Sequence, residues 1–291
     1  MIGRDHVPPG ASTARRVTRV GVAANLHKDN ARAILRDFLP LLVARGLDVY
    51  LDEELASEVS ALRTGKVGIP EACDAIIAIG GDGTILKVAR RYVDRGIPIV
   101  GIKGGRLGFL AEAEPERVAM LLCEGRFVIQ PRMRVTGVVR GPDGVAAEFS
   151  ALNDVVIHST GYSRMVGMRV EIGGKLLRQF SADGLIVATP TGSTAYSLSA
   201  GGPVVEPTMD AILLTPLNPH TMSMRPMVLD ASETVTVRVT SAPSGVMITV
   251  DGQEGMEIAP AQHVDVLRDP RATSLIVGED YDFFSLLREK L

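Results

Sequence analysis

The sequence predicts an α/β domain followed by a β-rich, sandwich-like domain, and three observations support this fold class. The first half alternates continuous apolar runs with stretches whose apolar residues recur at helical spacing. The second half contains short segments of alternating polarity, separated by Gly, Pro, Asn and Asp. The length of 291 residues exceeds that of one typical domain. The two patterns therefore predict two domains of different architecture.

The first half contains repeated strand–helix–strand units. Residues 75–79 and 97–102 are continuously apolar, as expected of strands that are covered on both faces of a parallel sheet. Apolar runs at residues 17–24 and 47–51 predict two more strands, and residues 85–92 predict a helix. These units predict a Rossmann-like sheet with ligand-binding loops at the carboxyl ends of its strands.

A helix is predicted between the first two strands. Gly46 stands where its C-terminal cap belongs, and Pro40 is expected to bend its middle. The helix is amphipathic, so we expect one face to pack against the sheet. The apolar residues on that face are Ile34, Leu35, Phe38, Leu41 and Leu42.

The second half is predicted to be rich in short strands. Val166–Ile172, residues 235–239 and Val246–Val250 have the alternating polarity of half-buried strands. The C-terminal tail is expected to return to the first domain through a strand at residues 275–277 and a helix at residues 282–290.

These patterns give a predicted domain map. We place the boundary near Phe127–Arg132, where the helical periodicity ends. Residues 1–16 are expected to form a flexible arm, because they contain prolines, glycines and arginines without an apolar core. The α/β domain is predicted to comprise residues 17–131 and 274–291, and the β-rich domain residues 132–273.

The composition argues against nucleic acid and membranes as partners. The chain has 31 basic and 34 acidic side chains, which leaves a formal charge of −3 and no excess of positive charge for phosphate backbones or anionic lipids. The uncharged stretch at residues 184–205 contains prolines, glycines and hydroxyl residues, so it is not a transmembrane helix. We therefore expect a cytoplasmic protein with a small-molecule substrate.

The cysteines indicate neither a metal site nor a disulfide framework. Cys73 and Cys123 are the only two, and no CxxC spacing is present. This usage fits a reducing cytosol.

The first segment that can carry chemistry is GGDGT at residues 80–84, which follows the strand at residues 75–79 directly. Glycines permit backbone angles and a close approach that side chains prevent, and Asp82 projects a carboxylate from the turn. Backbone amides at the start of the next helix suit a phosphate. Neither the GxGxxG pattern nor the Walker spacing is present. A tight turn capped by Asp82 remains the alternative interpretation.

The second segment is the pair Asn153 and Asp154, which precedes the strand predicted at residues 155–158. An amide beside an acid can bind the paired hydroxyls of a ribose. Because Asn-Asp pairs also form turns, the pair alone leaves both interpretations open.

The third segment, residues 181–203, combines glycines with many hydroxyl side chains. Small residues admit a planar ligand, and the Tyr196 ring can stack on a base. Thr194 is expected to cap a short helix whose amides face the ligand. A hydroxyl-rich surface loop is the alternative, although the apolar strand predicted at residues 185–188 counts against it.

In this order and at these separations, the three segments resemble the bacterial and archaeal-type NAD kinase family. The resemblance covers about residues 17–284, and the sequence TGSTAY at residues 191–196 is its most specific part. Supporting matches lie at residues 101–102, 107–110, 219–226 and 251–253.

The resemblance implies a kinase that transfers the γ-phosphoryl group of ATP to the 2′-hydroxyl of the adenosine ribose of NAD. Asp82 would orient and deprotonate that hydroxyl, a contribution of roughly 10²- to 10⁴-fold for a general base. Mg²⁺ would accompany ATP, because the sequence offers no His/Cys cluster for a separate metal site. The family also implies a homodimer or homotetramer.

The same resemblance implies the binding residues. Those expected to bind NAD are Asp82, Gly83, Phe109, Asn153, Asp154, Arg164, Ser181, Asp183, Thr191, Thr194, Ala195, Tyr196, Ser197, Leu198, Ser199 and Gln253. Those expected to face ATP or its phosphates are Gly81, Gly83, Thr84, Lys103 and His220. Lys103 stands where the family often has Asn, and Ser181 where some relatives have a basic residue. These departures leave the breadth of donors and acceptors open.

Two alternative functions remain. A non-catalytic dinucleotide sensor would keep the binding segments without needing Asp82. A lipid kinase of the diacylglycerol type has a similar glycine–aspartate turn, but it requires a hydrophobic entry or a basic amphipathic surface that this sequence lacks. The complete turn therefore favours catalysis on a dinucleotide.

Overall fold

The structure is a computed structural model. It describes residues 17–27, 30–59, 65–104, 108–110, 114–161, 165–221, 224–259 and 261–291. The predicted arm at residues 1–16 and the predicted NAD-binding residue Arg164 lie outside these ranges. Within them, no helix has the length and hydropathy needed to cross a membrane.

Strands occur throughout the described chain. In order they are β1 (Arg19–Ala24), β2 (Asp48–Leu51), β3 (Lys66–Val67), β4 (Ala75–Gly80), β5 (Ile99–Lys103), β6 (Phe127–Arg132), β7 (Val135–Gly141), β8 (Gly144–Ala151), β9 (Asp154–Ser159), β10 (Val166–Ile172), β11 (Lys175–Ala182), β12 (Gly184–Ala188), β13 (Ala211–Leu217), β14 (Met227–Asp230), β15 (Val235–Ser241), β16 (Val246–Val250), β17 (Glu254–Ile258), β18 (His263–Arg268) and β19 (Thr273–Gly278). The α-helices are α1 (Ala31–Ala44), α2 (Glu53–Glu58), α3 (Asp82–Arg91), α4 (Pro115–Glu124), α5 (Tyr196–Ser199) and α6 (Phe283–Lys290).

The chain divides into two compact units. The first comprises the described residues up to Pro131 together with Ser274–Leu291, and the second comprises Arg132–Thr273. The first unit contains a seven-stranded sheet in the order β3-β2-β1-β4-β5-β19-β6. β1 pairs in parallel with β2 and β4, and β5 pairs in parallel with β4 and β19. Because parallel strands end at the same edge, the loops after β4 and β5 lie side by side.

The second unit is a sandwich of two antiparallel sheets, ordered β11-β10-β15-β18-β7-β8 and β14-β13-β12-β9-β16-β17. One core joins them, with Val170 and Val237 from the first sheet and Ile157 and Val187 from the second. The opposite face of the second sheet packs against Val205, so β9, β12 and β13 are buried on both faces. The chain that follows β12, which includes the remainder of the third sequence segment, covers that face.

The predicted fold class is confirmed. A parallel α/β sheet is followed by a β-rich unit, and the C-terminal tail adds β19 to the first sheet. The strands predicted at Val166–Ile172 and Val246–Val250 have the predicted bounds. The helix predicted from residue 85 begins earlier, at Asp82, because Gly81 is its N-cap. The glycine–aspartate turn is therefore also the start of α3.

The end of α1 follows the sequence signal at Gly46. This residue has a φ of 82°, and its amide donates to the Val43 carbonyl at 2.9 Å. The Leu47 amide donates to the Leu42 carbonyl at 3.1 Å. These two bonds are the Schellman motif, which favours glycine at its left-handed position. Pro40 lies inside α1.

Asp52 joins β2, α2 and α3 through a buried carboxylate. One oxygen caps α2 by accepting the Glu54 amide at 3.0 Å and also accepts Arg91 Nη1 at 3.0 Å. The other oxygen accepts the Tyr92 hydroxyl at 2.5 Å. Burial, and then this bond to Asp52, raise the pKa of Tyr92 above its ordinary value. The carboxylate thus ties the end of α3 to the start of α2.

We predict that Asp52→Asn lowers the free energy of unfolding by about 2–3 kcal/mol, because the new amide group opposes donors that now face a carboxylate. Urea denaturation measures the change. Asp48→Asn is the control, since the Asp48 side chain forms an exposed ion pair with Lys66 at 3.3 Å and its substitution should leave stability nearly unchanged. Equal losses in the two variants would contradict the role given to Asp52.

Candidate functional site

The glycine–aspartate turn connects β4 to α3 at the carboxyl edge of the first sheet. Gly81 is the N-cap of α3, and Asp82 lies in its first turn. A Cβ at Gly80 would collide with the Thr84 side chain, and a Cβ at Gly104 would lie 3.3 Å from the Gly80 backbone. Gly81, Gly83 and Thr84, which are predicted to face a phosphate, lie at the N-terminus of α3. Amides and the helix dipole favour an anion there.

The Asp82 carboxylate is oriented by the loop that follows β5. Its Oδ2 accepts the Phe109 amide at 2.8 Å, and its Oδ1 accepts the Leu110 amide at 3.0 Å. This approach requires Gly108, because a Cβ there would overlap the carboxylate. Asp82 remains half-buried. A carboxylate has about four lone-pair positions, and these two amide bonds fix its orientation.

Lys103, at the end of β5, forms an ion pair with Glu114, with 2.6 Å between Nζ and Oε1. Both residues line a cavity of about 490 Å³ beside α1 and the start of α4, together with Asp37 and Glu116. The Glu114 carboxylate competes with any phosphate for the lysine, and the other acidic residues repel an anion. The phosphate contact predicted for Lys103 stays a prediction, and a phosphate there would compete with this ion pair.

In the second unit, Asn153 and Asp154 lie beside the hydroxyl-rich segment. β12 pairs with β9 so that Ala188 is opposite Asp154, and the chain that leaves β12 passes Asn153. The Thr189 amide donates to the Asn153 carbonyl at 2.8 Å, and a Cβ at Gly192 would overlap the Asn153 backbone. We call this contact of Asn153, Asp154, Thr189 and Gly192 the Asn153 junction. It brings the second and third sequence segments together.

Two buried polar atoms beside the Asn153 junction have no hydrogen-bond partner in the part of the chain that the structure describes. They are Oδ1 of Asn153 and Oγ1 of Thr191, whose residues are 9% and 4% exposed. Leaving such an atom unsatisfied costs about 1–3 kcal/mol, and native structures contain few of them. Both residues are among those predicted to bind NAD.

The Asp154 carboxyl is buried close to that of Asp251. Burial, followed by the negative charge of Asp251, raises the pKa of Asp154 to about 7. Burial also raises the pKa of Asp251, but three backbone amides and the Arg134 guanidinium offset part of that rise. Asp251 is therefore the carboxylate of the pair, and Asp154 retains a proton up to near-neutral pH.

The third sequence segment forms a 3₁₀ helix at Thr191–Thr194 followed by α5. The expectation that Thr194 caps α5 is wrong. Ala195 occupies the cap position, and the Thr194 hydroxyl donates to the Thr191 carbonyl at 3.2 Å. Because the 3₁₀ helix ends at Thr194, that hydroxyl bonds backward into its own turn.

The other residues predicted to enclose the dinucleotide differ in exposure. Ser197 is fully buried, and its hydroxyl lies 2.8 Å from that of Thr215, so its side chain supports the fold. Leu198 is half-buried, whereas Ser199 and Gln253 are exposed. Tyr196 is 49% exposed, which leaves its ring open to stacking.

A further group of predicted residues lies at the opposite end of β12. Asp183 Oδ2 accepts Asn218 Nδ2 at 2.9 Å, and the Ser181 carbonyl accepts the His220 amide at 2.9 Å. Asp183 and Thr189 flank the five-residue strand β12, so strand geometry separates them by roughly 20 Å. The extended strand therefore keeps Ser181, Asp183 and His220 away from the Asn153 junction.

The sequence assigns no role to two residues that hold predicted site residues, although it includes Asp251 in a segment that matches the family. Asn218 and Asp251 are the non-glycine residues with positive φ in the described chain, at 43° and 50°. Asn218 bonds the Asp183 carboxylate, and Asp251 accepts the Asn153 amide. A φ angle is not visible in a sequence. The pair Asp251-Gly252, a common hairpin signal, is the one available clue.

Comparison with known proteins gives a consistent result. The family model described as the ATP-NAD kinase N-terminal domain matches residues 20–124, and the ATP-NAD kinase C-terminal domain matches residues 152–277. An NAD kinase of Gemmatimonas aurantiaca is 41% identical over 279 residues, which is 94% of this chain and 95% of that protein.

Two solved structures are also similar. Yeast NADH kinase complexed with NADH has a TM-score of 0.84 and 25% identity, covering 94% of this chain and 87% of that one. An NAD kinase from Archaeoglobus fulgidus in complex with ATP has a TM-score of 0.72 and 26% identity, covering 94% and 98%. The resemblance carried by the three sequence segments is confirmed, and the chain belongs to the ATP-NAD kinase family.

Proposed function

We propose that this chain transfers the γ-phosphoryl group of ATP to the 2′-hydroxyl of the adenosine ribose of NAD, with Asp82 as the general base. Membership of the ATP-NAD kinase family makes it a phosphotransferase with an alcohol group as acceptor. The similar structures that contain NADH and ATP support the two substrates. The observation that carries the assignment of Asp82 is a half-buried carboxylate held by two amides at the start of α3.

In the proposed reaction, the ribose hydroxyl donates a hydrogen bond to the Asp82 carboxylate. Its proton passes to Asp82 as the bond from the ribose oxygen to the γ-phosphorus forms, and the bond from that phosphorus to the bridging oxygen breaks to release ADP. The transition state of phosphoryl transfer is loose, so positioning and charge neutralisation supply most of the acceleration. The amides at the start of α3 are suited to the phosphates.

The Asn153 junction, in the second unit, carries residues that we propose to bind the dinucleotide. Asn153 Oδ1 accepts a hydrogen bond from a ribose hydroxyl. The Thr191 hydroxyl, which has no partner in the described chain, also forms a hydrogen bond with the dinucleotide. Asp154, protonated near neutral pH, donates as well as accepts, which suits a pair of sugar hydroxyls. Tyr196 stacks on a ring of the dinucleotide.

A divalent cation, most simply Mg²⁺, would accompany ATP. In the described residues, no group of three or more His, Cys, Asp or Glu side chains could hold a metal ion. Mg²⁺ needs no such cage, because it keeps several waters and binds through substrate phosphates with one or two carboxylates. The cation would neutralise charge on the phosphates.

We also propose a cytoplasmic homodimer or homotetramer in which one copy supplies Asp183 and His220 to the dinucleotide of the next. This arrangement accounts for two groups of predicted residues at opposite ends of β12. The edge strand β11, with Leu176 and Leu177 exposed by 53% and 37%, offers an apolar surface for such a contact.

We predict that the purified chain converts NAD to NADP with ATP and Mg²⁺, and that Asp82→Asn lowers turnover at least about 100-fold because an amide cannot take the proton. A coupled assay for NADP measures both, and EDTA should stop the reaction. The dissociation constant for NAD should change less than the turnover. Asp48→Asn, at the amino end of β2, is the control and should turn over normally. Saturable NAD binding without any NADP would identify a sensor instead.

We predict that Asp154→Asn stabilises the ligand-free chain more at pH 8 than at pH 5, by about 2–3 kcal/mol. The pKa of Asp154 is about 7 in the folded chain and near 4 when unfolded, so the folded state binds the extra proton between these values. Stability from this group is complete below pH 4 and is lost as pH rises through 7. Urea denaturation at the two pH values measures the difference.

Asp269→Asn is the matched control for this pH dependence. Burial opposes ionisation of Asp269, but bonds from Arg271 and Ser150 outweigh it and hold its pKa far below the ordinary value. Its substitution should therefore cost similar stability at pH 5 and pH 8. A flat pH response in the Asp154 variant as well would remove the claim that Asp154 keeps a proton.

We predict that mixed oligomers of Asp82→Asn and Asp183→Ala chains regain activity. In a mixed dimer, one site combines an intact Asp82 with an intact Asp183 from the other copy. Because one of the two sites in each mixed dimer is intact, purified mixed dimers regain about half of the wild-type activity. Co-expression with two affinity tags, followed by the NADP assay, measures it. Activity no higher than the mean of the two parents would show that each copy uses its own Asp183.

A further inference from the structure

The amides of residues 152–154 converge on one buried carboxylate. Asp251 Oδ2 accepts the Leu152 amide at 3.1 Å, and its Oδ1 accepts the amides of Asn153 and Asp154 at 2.7 and 3.2 Å. The Asp251 amide in turn donates to the Asp154 carbonyl at 3.0 Å. Four hydrogen bonds from one residue therefore fix the entry to β9.

Thr189 supplies the partners that Asp251 does not. Its hydroxyl donates to the Leu152 carbonyl at 2.6 Å, and its amide donates to the Asn153 carbonyl at 2.8 Å. The three amides and three carbonyls of residues 152–154 thus all have partners in Asp251 or Thr189. The backbone is satisfied, whereas Asn153 Oδ1 is not. In this segment, the polar groups that can still form hydrogen bonds with a ligand are therefore on its side chains.

A turn preference alone does not explain Asp251. It begins the turn from β16 to β17, in which the Gln253 amide donates to the Val250 carbonyl at 3.0 Å. Asp251 and Gly252 have φ values of 50° and 62°, as in a type I′ turn. Asn-Gly suits that turn at least as well as Asp-Gly. The turn therefore does not require a carboxylate, but three amide donors do.

The charge of Asp251 has support inside the second unit. Arg134 is fully buried, and its guanidinium donates to Ser150 Oγ at 2.8 Å and to Thr273 Oγ1 at 2.9 Å. The positive charge of Arg134 favours the ionised form of Asp251. With three amide donors as well, this carboxylate is not an isolated buried charge.

We propose that Asp251 is a positioning residue for the dinucleotide. Its carboxylate fixes the backbone of residues 152–154 so that the Asn153 amide and the Asp154 carboxyl face the ligand. Asp251 acts through these neighbours and does not itself contact NAD. The inference rests on the proposed NAD-binding role of the Asn153 junction.

The test is Asp251→Asn, which keeps the type I′ turn but places an amide group against amide donors. We expect the KM and the dissociation constant for NAD to rise at least about tenfold. The KM for ATP and kcat at saturating NAD should stay within about twofold, because Asp82 and the α3 turn are untouched. Steady-state kinetics and calorimetry measure these values.

A second readout separates positioning from a general loss of structure. The charged groups that act on Asp154 are Asp251 and, through Asp251, Arg134. Removing the negative charge of Asp251 lowers the pKa of Asp154. The pH midpoint of NAD affinity should therefore move to lower pH in Asp251→Asn, and a structural defect alone would weaken binding without moving it.

Asp265→Asn is the matched control, since this carboxylate bonds Thr236 and Arg140 on the other sheet. It should lower stability and leave the KM for NAD within about twofold. Thr189→Val tests the same backbone without changing Asp251, and it should raise the KM for NAD, with Thr189→Ser restoring it. If Asp251→Asn folds poorly, the KM for NAD of these two Thr189 variants tests whether the backbone of residues 152–154 positions the ligand-binding side chains.

Unchanged NAD affinity in both Asp251→Asn and Thr189→Val would overturn the inference. The proposed function would still stand if the unsubstituted chain forms NADP. If the unsubstituted chain neither binds nor phosphorylates NAD, the proposed function fails, and the inference fails with it.

Discussion

Backbone amides that water does not fully reach need acceptors, and one aspartate in each of the two units meets that need. Asp251 accepts three successive amides before β9, and Asp82 accepts two successive amides after β5. Hydrogen bonds to a charged acceptor are stronger than neutral ones, so a single side chain can fix a short loop. The orientation of the remaining site residues depends on these contacts.

The two aspartates differ in what they leave for a ligand. Asp251 is 7% exposed, and its carboxylate accepts hydrogen bonds from amides of its own unit. It therefore positions neighbouring residues and does not contact the ligand itself. Asp82 is half-buried and lies at a helix start, where a substrate can reach it. The same type of carboxylate–amide contact therefore fixes the backbone in the second unit, whereas in the first unit it orients the proposed general base.

Local patterns in the sequence predict the fold class. The apolar run of β4 identified a strand buried on both faces, and Gly46 identified the end of α1, because both signals depend on neighbours in sequence. The order of the three segments identified the family. Thr194 shows the limit of such reasoning, since whether it caps α5 depends on where a one-turn helix begins.

The contacts that the sequence could not supply are long-range or depend on backbone angles. Asp251 lies 98 residues from Asn153, and only the pairing of β16 with β9 brings them together. Lys103 was visible as a cation, but its partner Glu114 appears only when the start of α4 is placed beside β5. Sequence spacing determines neither contact, because both follow from tertiary packing.

Burial imposes two energetic costs on the side chains at and beside the Asn153 junction. Asp154 is held where its ionised form is costly, and Asn153 Oδ1 and Thr191 Oγ1 lack partners in the described chain. A ligand that supplies hydroxyls to these groups removes both costs, so part of its binding energy appears as stability of the second unit. The rigidity that Asp251 gives to residues 152–154 therefore lowers the free-energy cost of binding the ligand. It keeps the unsatisfied groups in place for the ligand, because a flexible segment would relax and satisfy them within the protein.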